Sequence, residues 1–174
     1  LMVLMYLAYY QGLAKGMVSV VTAVASAWLP VSVILGTVFL GELFQTYQGV
    51  LIAFISLGII LLSINLTSSG DRLSGFPYGL AAMLLLGIAA ALFKPLVLAT
   101  GPIPATVFAK IVTIVGFMLL ATILRIPIRL PALHNLPMLA AAAIFDSGGY
   151  IFYSFGLWSA PIYIVAPIAA AHPL

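Results

Sequence analysis

One aspartate, Asp146, lies inside the run AIFDSGGYIFYSFG, residues 143–156, where nearly every neighbour is apolar or aromatic. On a helix, Asp146, Tyr150 and Tyr153 stand at i, i+4 and i+7 and share one face. A carboxylate and two phenols in such a line can hydrogen-bond a polar solute and mark its path. The same stripe can instead serve a structural ion pair or an interhelical hydrogen bond, and both readings stay open. At the centre of a membrane-spanning helix an aspartate costs about 2.5–3.5 kcal/mol, so it is expected to face a bundle interior or a wet cavity. Gly148 and Gly149, on the same run, would let another backbone approach closely.

Lys94 is a second charge within an apolar run, next to Pro95, which would kink its helix. One reading pairs Lys94 with Asp146 across a cavity, since a buried pair costs less than either charge alone. The other lets Lys94 snorkel to the interface. Standing alone, Asp146 would be a candidate proton carrier, because a dry site disfavours its charged form. Lys110 falls within the first two turns of its run, where snorkelling is the default. Tyr6, Tyr9 and Trp28 complete the candidate path; Trp28, beside Pro30, fits a cavity or a lipid-facing surface equally well. Glu42 is read as stabilising the start of the following helix. Tyr47, Tyr78, Trp158 and Tyr163 fit an aromatic belt at span ends. His172 has no nearby ligands in sequence, so no metal site is expected.

The elements that must carry these residues follow from composition. The chain has 174 residues, 65% of them hydrophobic and 5% charged, against roughly 25% charged in a soluble domain. So little charge cannot clothe a water-facing surface, and several apolar runs reach the roughly 20 residues needed to cross a bilayer. Their backbone polar groups must be satisfied internally, which makes them helices. Continuous rather than alternating apolarity argues against a porin-like barrel. The net charge of +3 is dispersed, so nucleic acid is not an expected partner. The absence of cysteine removes disulfides and thiolate metal sites. No signal peptide is read at the N-terminus. Both ends fall inside apolar runs, so the reading expects an interior piece of a longer protein.

Breaks at Gly, Pro and charge divide the chain into runs at about 1–13, 17–40, 47–66, 78–99, 105–124 and 138–158, and one starting near 162. This predicts about seven helices, the first and last of them partial. The polar stretch 67–77 is the expected linker between a first half, 1–66, and a second, 78–174. TGPIP (100–104) and residues 125–137 are expected loops. An internal repeat supports the halves. YLAYYQGLAKG (6–16) aligns with YIFYSFGLWSA (150–160), matching Tyr6 with Tyr150, Tyr9 with Tyr153, Gly12 with Gly156 and Leu13 with Leu157. VVTAVASAWLP (20–30) resembles IVAPIAAAHP (164–173). Met2 occupies the place equivalent to Asp146, so the carboxylate is not part of a shared scaffold. Three spans lie between the copies, giving a unit of five. An odd unit crosses the membrane in the opposite sense at its second copy, the inverted-repeat architecture of many transporters.

A helix with internal Pro30, Leu40-Gly41-Glu42 at its end, then Gln48-Gly49 and Gly58 in the next, resembles the end of the first repeat of an EamA-type transporter of the drug/metabolite transporter superfamily. The second half resembles the start of the second repeat, with Pro173 in the place of the helix proline. The resemblance implies an all-α polytopic bundle of inverted five-helix repeats, ten helices in the complete family fold. It also implies a secondary transporter, multi-pass in the cell (inner, plasma) membrane, exporting or exchanging a small metabolite or drug-like solute by alternating access, with proton coupling an open option. It implies no cofactor, and a homodimer is left open. No P-loop is present, so ATP is not an expected partner. Positive-inside counting places the loops near Lys15, Arg72, Arg125 and Arg129 in the cytoplasm, whereas the family pattern implies the reverse.

Two other classes remain. A membrane assembly subunit or a lipid-moving protein shares this architecture. An intramembrane enzyme fits less well: an aspartyl protease needs two intramembrane carboxylates, and neither His-Glu-x-x-His nor a nucleophile elbow is found.

Overall fold

A computed structural model describes residues 1–41, 49–50, 53–54, 57–58, 75–125 and 132–170. The helices are α1 (Met2–Lys15), α2 (Val18–Ser26), α3 (Trp28–Leu40), α4 (Phe76–Thr100), α5 (Pro102–Ile123), α6 (Leu136–Ser159) and α7 (Ile162–Ala170), with a 3-10 turn at Leu133–Asn135 before α6. α2 and α3 are one residue apart and form a single apolar span, Val18–Leu40. Among the described residues, that span, α4, α5 and α6 are the four helices long and apolar enough to cross a membrane. The described residues are thus all-helical, and the chain is a multi-pass membrane protein. Most of the expected run 47–66, most of the linker 67–77, and residues Glu42, Gln48, His172 and Pro173 lie outside the described residues.

Prolines set the breaks. Pro30 falls in the first turn of α3, and its ring excludes continuous helix through the preceding turn. Ala27 accordingly leaves helical geometry, and its N–H bonds Val24 O at 3.1 Å. The expected TGPIP loop shrinks to Gly101, whose φ of +91° suits glycine. Pro102 and Pro104 are absorbed into the first turn of α5, where a missing N–H costs nothing. Pro77 sits likewise in the first turn of α4, so 76–77 is helix rather than linker. Pro95 remains inside α4, as expected. Gly41 closes α3 with a left-handed φ of +66°, the usual conformation of a glycine just past a helix end.

The chain divides into two compact units, Leu1–Pro95 with Ala160–Leu174, and Leu96–Ser159. These units are defined by packing and do not coincide with the halves read from the repeat. In the first unit, α1 runs antiparallel to α2: Met5 clusters with Ala25, and Tyr9 meets Thr22. α4 runs parallel to α2 and α3. Gly75 lies against Gly16, Gly79 against Val21 and Val24, and Gly87 against Trp28 and Val31. α3 also packs closely on α7. Lys94, well past Gly87 on α4, reaches the carbonyl of Ala160 just before α7.

Small residues make these approaches possible. A Cβ added at Gly87 would stand 2.6 Å from Val31 Cβ and 2.9 Å from the Trp28 carbonyl oxygen, so a helix would have to move. Nothing lies within 4 Å of a Cβ at Gly148 or Gly149. The close approach expected at those two glycines is therefore not found among the described residues. Gly87→Val is expected to destabilise the detergent-solubilised protein by about 1–3 kcal/mol, the usual cost of overpacking. Gly148→Ala should be neutral or slightly stabilising. Thermal midpoints by fluorescence-detected size exclusion compare the two, and equal midpoints would contradict the packing.

Candidate functional site

The second unit is a hairpin of two long apolar helices, and its polar groups gather along one seam. On α5 the less exposed residues recur at 102, 105, 106, 109, 110, 113, 116, 117, 120 and 121, the stripe of a helix with a single packed face. Thr106 and Lys110 lie on that stripe one turn apart. On α6, Asp146, Tyr150, Ser154 and Leu157 repeat at the same helical interval. Thr106 Oγ1 and Ser154 Oγ are 2.6 Å apart and buried. One level on, Lys110 Nζ donates to Asp146 Oδ2 and lies 4.1 Å from the centre of the Tyr150 ring. Thr106 meets Ser154 while Lys110 meets Asp146, so α5 and α6 are antiparallel.

Each rung has a physical cause. Thr106 and Ser154 also point at carbonyls of their own helices, Pro102 O at 2.9 Å and Tyr150 O at 2.7 Å. Two hydroxyls carry two protons for these three contacts, so a proton in the interhelical bond is one withheld from a carbonyl. Lys110 and Asp146 each neutralise a charge that hydrocarbon would penalise. The Tyr150 ring presents its negative face to the same ammonium, adding a cation–π contact. The Lys110 and Asp146 side chains are 30% and 52% exposed.

The structure brings together part of the expected set. Asp146 and Tyr150 share the seam. Tyr153, on the same helix, has its hydroxyl buried. Lys94 and Asp146 receive other partners than the pairing considered above. Lys94 is buried and donates to Ala160 O at 3.1 Å, and Asp146 takes Lys110. Lys110 is thereby corrected from a snorkelling residue to an ion-pair partner. With Lys110 beside it, Asp146 does not meet the solitary condition on which a proton-carrier role rested. Asp146 is also the only carboxylate side chain among the described residues.

Tyr6, Tyr9 and Trp28 belong to the first unit. Tyr6 packs on the Met5–Ala25–Ala82 cluster and stacks on Tyr10, and the Tyr9 hydroxyl lies 3.3 Å from Thr22 Oγ1. Trp28 is buried, which removes the lipid-facing option. Tyr78, read as a belt residue, accepts a 2.6 Å hydrogen bond from Lys15. Sequence reasoning missed Thr106, Lys110 and Ser154 as site residues. Face arithmetic held the signal: Ser154 is two turns beyond Asp146, and Thr106 is one turn before Lys110. Among the described residues no group of His, Cys, Asp and Glu could hold a metal ion. No known protein family, curated protein or solved structure matches the chain.

Removing one partner of such a pair strands the other, whereas replacing both with apolar groups does not. Lys110→Met or Asp146→Leu alone is expected to lower the thermal midpoint, and the two together to recover most of the loss. Strictly additive losses in this double-mutant cycle would show the two side chains to be uncoupled.

Proposed function

We propose that the chain is a secondary transporter of a small metabolite or drug-like solute, built as the EamA-type resemblance implies from two inverted repeats in the cell membrane. The observation that carries this reading is the Lys110–Asp146–Tyr150 constellation on two membrane-length helices. Charges set within spanning helices mark solute or ion pathways by default.

The architecture adds support. The parallel course of α4 with α2 and α3 fits a single return crossing between them, as the count of five spans per repeat requires. In this reading the repeats rock about a central site. Asp146, Tyr150, Tyr153 and Lys94 face the path in the second repeat, Tyr6, Tyr9 and Trp28 in the first. Pro30, Gly41, Glu42, Gln48, Gly49 and Pro173 hold the scaffold. The reading assigns the chain no catalysis, cofactor or ATP.

The test is solute flux in vesicles containing the purified full-length protein, screened with a mixed pool of labelled metabolites and drug-like compounds. Accumulation or exchange above empty vesicles is expected, and Asp146→Asn should reduce it at least tenfold. Flux of lipid alone would favour the lipid-moving alternative. Absence of any flux would favour an assembly subunit.

A further inference from the structure

Lys110 carries an ammonium on a flexible tether, and the groups that hold it belong to another helix. Asp146 supplies the anion, and Tyr150, one turn along α6, supplies a ring face 4.1 Å from Nζ. A carboxylate beside an aromatic face is the chemistry that binds an ammonium ion, partly by charge and partly by the ring quadrupole. Lys110 also has somewhere else to go. It lies roughly two turns from the start of α5 at Pro102, so its four-carbon stem can carry the charge toward the interface at that end.

We infer that Asp146 and Tyr150 form a receptor for an organic ammonium ion, and that Lys110 is its built-in occupant, displaced toward the interface when a solute cation arrives. This inference rests on the transporter reading and adds a substrate class to it. Charge balance selects that class. Exchanging one cation for another never leaves the Asp146 carboxylate bare in a desolvated site, and a displaced Lys110 recovers water. An anion would have to draw Lys110 away from Asp146 and strand the carboxylate. An uncharged solute would have to break the ion pair and replace neither charge.

Choline is a suitable probe, with 3,3-dimethylbutanol as its uncharged isostere. In the wild-type full-length protein, acylation of Lys110 by a water-soluble amine-reactive ester is followed by mass spectrometry. Choline is expected to accelerate the labelling of Lys110 several-fold, and the isostere to leave it unchanged. Unchanged or slower labelling with choline overturns the inference. Lys110→Met removes the competitor and should tighten choline binding by about 10–100-fold, as expected when the competent state changes from a minor to the dominant one. Asp146→Asn should abolish binding, and Tyr150→Leu should weaken it by about 2–30-fold. Weaker choline binding by a folded Lys110→Met protein also overturns it; if that variant does not fold, the wild-type labelling decides. Choline-dependent labelling without choline flux into vesicles keeps the receptor and removes transport. Flux of other solutes, with labelling indifferent to choline, keeps transport and removes the receptor.

Discussion

Hydrocarbon offers no hydrogen bonds, so every polar group carried into it must find its partner within the protein. The hydroxyls within the described helices follow this rule closely. Thr22, Thr37, Thr106, Thr113, Thr122 and Ser154 each point at the carbonyl four residues back in their own helix. Ser32, fully buried, reaches the carbonyl three residues back. A side chain too long to turn back on its own helix needs another partner. Lys94 takes a backbone carbonyl, Lys15 takes a phenol, and Lys110 takes the described carboxylate.

The two units join their helices by different physics. In the first, glycine and alanine bring backbones close, and attraction comes from many small dispersion contacts. Gly16 and Gly75 touch through their backbones, and Ala82 is buried beside Met5 and Ala25. In the second, two polar rungs hold α5 to α6, while large apolar side chains such as Phe108, Met118, Phe145 and Phe152 stay exposed. Such a surface suits lipid, where an exposed phenylalanine carries no penalty. Close packing by small residues tolerates little change in volume, whereas a polar seam tolerates exchange of partners. A binding site has more use for the second property.

Much of the fold was legible because its causes are local. Run lengths located the four candidate spans to within a few residues. Several boundary errors came from prolines read as loop markers. Pro77, Pro102 and Pro104 lie in first turns, where the helix has no use for their missing N–H, and only Gly101 broke the chain. Pro30 was read as internal to one helix, and helical geometry is instead interrupted at Ala27 within the span Val18–Leu40. Gly148 and Gly149 were read as contact points from their size, and size permits contact without requiring it.

The amino-acid sequence by itself determined that this chain lives in a membrane, that its spans are helical, and that Asp146 with Tyr150 forms one face of one of them. Those conclusions need only the hydrophobicity, length and period of a single segment. Tertiary structure alone decided which cation answers Asp146. Lys94 and Lys110 are both lysines in apolar runs, and their local positions pointed to Lys94 as the partner and to Lys110 as a snorkelling residue. The choice depends on which helix packs against α6 and in what direction. The antiparallel α5–α6 seam places Lys110 level with Asp146 and Thr106 level with Ser154, because a lysine can neutralise only a carboxylate within reach of its stem.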